Sequence, residues 1–267
     1  MKLSVVVPSL DGRMPKGIPG DERLEVVVVR GLSPVSEARN EGLRRANGDW
    51  VAWVDADDEV CEAWLGTILA AVDGTEADGV DVVTFGAEVA RSDGRSSIVR
   101  YANCEKTVGA EEYLRDILRD IGGSTWLWNK VFRRSLFDGL RFEGTTQEDF
   151  RIMPRALARA RKVKSVPDVI YRYVRPEGSL THGGGGGANA AGILAAIGDD
   201  LGDVRGRDSV IDAWRKGCAL RAADWLRHSG GNAELRRFLR RSLRGVLTDG
   251  EIGWMAKAKC ILAALGA

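Results

Sequence analysis

Two histidines and four cysteines are all the imidazole and thiol metal ligands that the 267 residues contain. Cys61, Cys104, Cys218 and Cys260 stand far apart with no Cys-x-x-Cys spacing, which argues against a zinc site and a disulfide framework and fits a reducing compartment. Long apolar runs are missing too. None approaches the roughly 20 residues of a membrane span, and the run after Lys2 ends at Pro8, too soon for a signal peptide. Nor is one sign of charge in excess: 39 Lys and Arg face 38 Asp and Glu, and neither terminus is basic. Nucleic-acid binding is therefore not implied. A soluble cytoplasmic protein with a small or local partner is expected, long enough for one large α/β domain or a domain with an appendage.

What is present is alternation. "LSVVVP" and "LEVVVV" are unbroken valine-rich runs, as expected of parallel strands covered on both faces. The Gly- and Pro-rich "SLDGRMPKGIPGDER" between them is too long for a turn and predicts a loop able to cover a ligand. Ser33 is placed to cap a helix starting at Pro34, with Val35, Ala38, Gly42, Leu43 and Ala46 on one face. "WVAWV" and "VDVVTFGAEV" predict further strands, and residues 107–121 a helix with Glu111 and Glu112 near its start. A basic turn in "WLWNKVFRRSLF", a helix kinked at Pro154 and a strand at "DVIYRYV" complete a domain over residues 1–182. Five consecutive glycines at 183–187 read as a linker, and residues 188–267 have helical spacing. There "LRRFLRRSLRGVL" gathers Leu235, Phe238, Leu239, Leu243 and Val246 on one face, with Arg236, Arg237, Arg240, Arg241 and Arg244 largely on the others. Such a helix suits a peripheral contact with an anionic membrane, or a solvated helix whose arginine stems cover its own core.

The sharpest feature is "DWVAWVDADDEVCEAW", where an apolar strand ends in Asp55, Asp57, Asp58 and Glu59. At the carboxyl end of a parallel strand, acids point into the crevice where open α/β folds bind ligands. Asp55 and Asp57 are two apart and can project to one side, and a divalent ion, Mg²⁺ or Mn²⁺ with phosphate oxygens, would offset their repulsion. The alternative is that Asp57 or Asp58 caps the next helix. An EF-hand loop fails at Val60 and Gly66.

The order "SVVVP", "SPVSEARNEGLRRANGDWVAWVDADDEV", "WLWNKVFRRSLF" and "QEDF" resembles glycosyltransferase family two, inverting enzymes of the GT-A fold, through most of residues 1–182. The resemblance implies an α/β fold with a Rossmann-like, mostly parallel sheet flanked by helices, followed here by a helical C-terminal region. It implies a hexosyltransferase that takes a sugar from a nucleotide-sugar, UDP by default, to a saccharide or lipid-linked acceptor in surface-glycan biosynthesis. Asp55 and Asp57 match the D-x-D that holds metal and diphosphate, and Pro8, Arg39 and Asn40 fall on the donor side. Asp149 in "TTQEDF" matches the family's base and Glu148 its supporting acid, although two acids in the first turn of a helix are also ordinary dipole partners. Arg39 could equally pair with Glu37 or a surface acid. His182 stands where many GT-A enzymes carry a histidine that completes the metal or diphosphate site, and it could equally be a loop residue. Trp126, Trp128, Asn129 and Lys130 match the acceptor-side region, with one tryptophan expected at the ligand and one in the core.

The sequence also departs from that pattern. The second strand runs into Arg30 and Gly31 where the family has acids that contact the base, and Asp11 or Asp21 could substitute. Two rivals stay open: a sugar-phosphate nucleotidylyltransferase, faintly suggested by "DGRMPKG", and a glycan-assembly protein that has lost donor binding.

Overall fold

The computed structural model describes residues 2–91, 93–174, 186–199, 201, 204, 208–229 and 231–266. In chain order, β1 (Leu3–Ser9) and β2 (Leu24–Arg30) are followed by α1 (Val35–Arg45) and β3 (Trp50–Trp53). Next come β4 (Glu59–Val60), α2 (Trp64–Val72), α3 (Thr75–Asp78) and β5 (Val80–Ala90). After β6 (Ser96–Val99), β7 (Thr107–Gly109) and α4 (Ala110–Leu118), β8 (Lys130–Arg133) runs into a 3-10 turn. Then α5 (Glu148–Arg159) and β9 (Lys162–Val174) precede the helices α6 (Gly186–Gly198), α7 (Asp208–Ser229), α8 (Ala233–Thr248) and α9 (Trp254–Leu265).

The strands form one mixed sheet of order β2-β1-β3-β8-β5-β9-β4, with β6 on β5 and β7 on β9. Along that path β2, β1, β3, β5 and β9 run one way, while β8 and β4 oppose them, so the expected mostly parallel sheet is present. Period-two alternation splits the core. Leu3, Val5 and Val7 of β1 and Trp50 and Ala52 of β3 face one apolar layer with α2, while Val6, Val51 and Trp53 face the other with α4 and α5. Gly42 of α1 lies so close to the sheet that a Cβ there would stand 2.2 Å from a methyl of Val6. The absence of a side chain lets α1 rest directly on β1, which fixes where its neighbour Arg39 arrives.

Several boundaries differ from expectation. β2 is the edge of the sheet among the described residues and is only half covered, with Val26 exposed. Residues 107–109 form a strand on β9, so the helix expected from 107 starts at Ala110. Neither Asp57 nor Asp58 caps a helix: they lead into β4, and α2 begins later with Ala63 as its uncapped flank. Ser33 gives no cap to α1, whose flank is Pro34.

The helical region is welded to the sheet layer. Val210, Ala213, Trp214 and Cys218 of α7 share a core with α4 and α5, and Trp214 stacks on Phe150 at 4.1 Å. A Cβ on Gly217 would lie 2.6 Å from the carbonyl oxygen of Leu118, so α7 meets the end of α4 at backbone distance. The linker expected at 183–187 is described only from Gly186, which opens α6, and its other residues lie outside the described ones. The expected apolar face of α8 is buried: Leu235, Leu239 and Val246 are enclosed, with Phe238 and Leu243 packed beside them. That face covers a core and is not available to insert into lipid.

Candidate active site

The acids sit on a tight turn. After β3, the Val54 amide bonds the Val6 carbonyl, and the Asp58 amide bonds back to the Asp55 carbonyl at 3.1 Å. Asp58 points inward and is the anchor: it accepts from the Val174 amide at 2.9 Å and from the Tyr171 hydroxyl at 2.5 Å. The same hydroxyl accepts the Asp55 amide at 3.2 Å. Burial first, then the charge of Asp55, pushes Asp58 up to about 8. With Asp58 spent on the fold, Asp55 is half-buried and Asp57 open to solvent. Crowding by the surrounding protein, reinforced by Asp55, also raises Asp57 despite its exposed side chain.

The long first loop lies against this turn: the Lys16 amide bonds the Asp58 carbonyl, the Val60 amide bonds the Lys16 carbonyl, and the Lys16 ammonium pairs with Glu59 at 2.8 Å. Half-buried Pro8 and then Asp11 lie at the carboxyl end of β1, the same end of the parallel strands as the acids. Asp21 instead precedes the amino end of β2, gripped by Arg23 at 2.7 Å. Of the two substitutes considered for a base contact, only Asp11 is at the right end of the sheet.

Arg39 ties this turn to a second pair of acids. It is buried, and its guanidinium donates to Asp55 Oδ1 at 3.3 Å and to Glu148. It does not pair with Glu37, which bonds Arg141 at the surface. Burial works against the Arg39 charge, but Asp55, Glu148 and Asp149 more than offset it and hold its pKa above the usual arginine value. Glu148 is pushed up by burial, with Arg39 opposing and Asp149 reinforcing. Asn40, one position on, faces elsewhere: it exchanges two bonds with the Phe142 backbone, at 2.8 and 2.9 Å, and lines a surface cavity of about 470 Å³ with Glu37, Arg44 and Arg141.

Glu148 and Asp149 open α5 after Gln147, whose φ of 62° turns the chain sharply into the helix. Asp149 is half-buried, and its carboxylate accepts the Phe150 amide at 2.6 Å. Across from it comes a residue the sequence reading missed. Arg221 of α7 donates to Gln147 Oε1 at 3.1 Å and Thr125 Oγ1 at 2.9 Å, with its guanidinium 3.7 Å from the Phe150 ring centroid. A lone arginine amid the small residues of "GCALRAADW" was the available signal.

On the other side, Trp126, Trp128 and Tyr171 form a stack with centroid spacings of 4.6 Å, and Tyr173 lies over Trp128 at 5.4 Å. Trp128 is buried and Trp126 half-exposed, the division expected of one core and one accessible indole. Asn129 and Lys130 are buried. Asn129 donates to the Phe85 carbonyl, and the Lys130 ammonium donates to the carbonyls of Ser124 and Trp126 and to Asn129 Oδ1, all within 2.8 Å. Their bonds hold the tryptophan segment in place from behind. His182 lies outside the described residues.

The donor set fits a hard divalent cation: Asp55 and Asp57, on one tight turn after β3, offer carboxylate oxygens. Among the described residues, no three His, Cys, Asp or Glu side chains converge as a complete metal cage, so substrate oxygens would have to finish the coordination.

Residues 17–141 match the model of the family described as Glycosyl transferase family 2. Among curated proteins, the chain is 25% identical over 170 residues to Glycosyltransferase GlyG of Streptococcus pneumoniae, a match covering 60% of this chain and 55% of that one. The chain spans about half the length of the curated relatives it matches, between 44% and 55%. Among solved structures, S. aureus TarS 1-349 superposes with a TM-score of 0.58 at 16% identity, covering all of this chain and 88% of the other. The same protein in complex with UDP-GlcNAc gives 0.56 at 17%, covering 99% and 89%.

Proposed function

We propose that this chain, which carries a glycosyltransferase family 2 domain in the GT-A fold, moves a sugar with inversion from a nucleotide-diphosphate donor to a hydroxyl of a saccharide or lipid-linked saccharide in surface-glycan assembly. The observation that carries the reading is the convergence of Asp55, Glu148 and Asp149 on one buried arginine at the carboxyl end of β3. Asp55 and Glu148 bond different nitrogens of that guanidinium and Asp149 adds its charge nearby, which we read as a donor-side acid and a base-side pair.

In this reading the acceptor hydroxyl attacks the anomeric carbon, Asp149 takes the hydroxyl proton, and the bond from that carbon to the diphosphate breaks with its electrons leaving on the nucleoside diphosphate. Glu148, held by Arg39, positions Asp149. Asp55 and Asp57 would hold a divalent cation, which would supply charge compensation for the diphosphate. Half-exposed Trp126 offers an aromatic face to a sugar ring, backed by buried Trp128. UDP is the donor nucleotide we favour, supported by a neighbour of the same fold that is seen with UDP-GlcNAc. Asp11 is the acid we assign to the base in place of the family's usual contact.

Calorimetric titration with UDP, GDP, CDP and dTDP, each with Mn²⁺ and with EDTA, tests this. Binding of one nucleotide that needs the metal and vanishes in an Asp55→Ala, Asp57→Ala variant is the expected result. Absence of nucleotide binding under every metal condition would overturn the reading, and release of pyrophosphate in turnover would favour a nucleotidylyltransferase.

A further inference from the structure

One face of α9 is not spent on packing. Cys260, Ala263 and Ala264 are buried against the other C-terminal helices, whereas Trp254, Met255, Ile261, Leu262 and Leu265 are 77, 64, 38, 43 and 73% exposed. Relative to Trp254 these positions fall one, seven, eight and eleven residues on, which places them along one side of the helix for its whole length. A contiguous apolar stripe of this kind marks an interaction surface, unlike single exposed leucines.

The charge beside the stripe is mostly basic. Across Ala233–Thr248 α8 carries five arginines and one acid, Glu234 in its first turn, and α9 carries Lys257 and Lys259 and no acid, in a chain whose totals nearly cancel; Lys259 pairs with Asp224 at 3.7 Å, and Glu251 before α9 pairs with Arg119. Arg237, Arg240, Arg241 and Arg244 are exposed, and Arg240 donates to the Ala264 carbonyl at 2.8 Å, which fastens the arginine helix to the end of the apolar one. Since the apolar face of α8 is buried, α8 contributes charge and α9 contributes the apolar contact.

We propose that α9 docks in the headgroup region of an anionic lipid bilayer, with Trp254 and Leu265 as apolar anchors at its two ends and the α8 arginines as the counter-charge to the lipid phosphates. The charge pattern selects this occupant over a second copy of the chain. A two-fold interface would set the basic surface against itself, whereas an anionic membrane complements it. The proposal does not depend on which donor or acceptor the site takes.

Flotation with vesicles of phosphatidylcholine and phosphatidylglycerol at about three to one, and of phosphatidylcholine alone, tests it. The full chain is expected to float with the mixed vesicles only. Trp254→Glu with Leu265→Glu should weaken that binding about tenfold or more, and each of Arg237→Gln, Arg241→Gln and Arg244→Gln about fivefold, with the remainder falling at high salt. Circular dichroism melting checks that the variants fold, and Trp254→Ser with Leu265→Ser replaces the acidic pair if they do not. Failure of the wild type to float with anionic vesicles, undiminished binding of the folded variants, or equal binding to neutral vesicles overturns the proposal. So does a concentration-dependent dimer that the same anchor substitutions abolish.

Discussion

Asp149 is set by backbone geometry more than by its own bonds. Gln147 turns at a left-handed φ of 62°, and the proposed base then emerges in the first turn of α5 beside a glutamate already committed to Arg39. Asp149→Asn keeps the shape and removes the proton acceptor, so kcat should fall by about 10² to 10⁴ while donor Kd measured by calorimetry stays unchanged. Turnover near the wild-type rate would place the base elsewhere. Asp58 teaches a different lesson at this scale. The sequence offers four acids in five positions, and nothing local tells which one turns inward, because that is decided by Tyr171 and the Val174 amide more than 110 positions away. Asp55 and Asp57 could be read as a candidate pair, and Asp58 could not be read as the anchor, for one reason: spacing along an extended segment is local, whereas a buried partner is not.

At the scale of elements, Glu25 of β2 fastens the sheet edge to its neighbours. It accepts from Ser4 Oγ of β1 at 2.5 Å and from the Asn47 amide and side chain, at 2.8 and 2.9 Å, in the turn before β3. Burial pushes its pKa up, but the bonds from Asn47 and Ser4 and the charge of Lys2 prevail and hold it at about 2. A carboxyl depressed on folding stabilises the protein above its ordinary pKa and loses that contribution as pH falls toward the folded value. Wild type should therefore exceed Glu25→Gln by about 2 kcal/mol near neutral pH, with the gap closing between about pH 4.5 and pH 2 in denaturant titrations. A gap that stays constant over that window would show that the carboxylate is not what joins these elements. The long strands were legible from their valine runs, as was the helix beginning at "ED". The two-residue β4 and three-residue β7 were not, since strands that short carry no period and are defined by pairing with distant chain, β9 for both and Lys16 for β4 as well.

For the whole molecule, one core runs from the sheet into the C-terminal helices. Phe150 of α5 lies between Trp214 and Arg221 of α7, and Lys216 bonds Asp249 beyond the end of α8 at 2.9 Å, with Arg119 on the same carboxylate. Thermal unfolding should accordingly be a single transition, coincident in far-ultraviolet dichroism and tryptophan fluorescence. Trp214→Ala should lower stability by about 3 to 5 kcal/mol and keep the transition single. Two separated transitions in the wild type would mean that the helices fold as an independent unit. The helical spacing of residues 188–267 was readable, but their attachment to the site was not, because it rests on a close approach at Gly217 and on one arginine whose partners are far away in sequence.

Arg221 gives that attachment an evolutionary consequence. By clasping Gln147 and Thr125 from a helix outside the family 2 match, it makes the C-terminal layer part of the wall around the proposed base. The two halves of this chain are therefore not interchangeable modules. A chimera that grafts a relative's helices onto this sheet would keep Asp55 and Asp57 intact, yet would lose the Arg221 bonds to Gln147 and Thr125 beside the proposed base, so drift in the tail is tied to the geometry of the head.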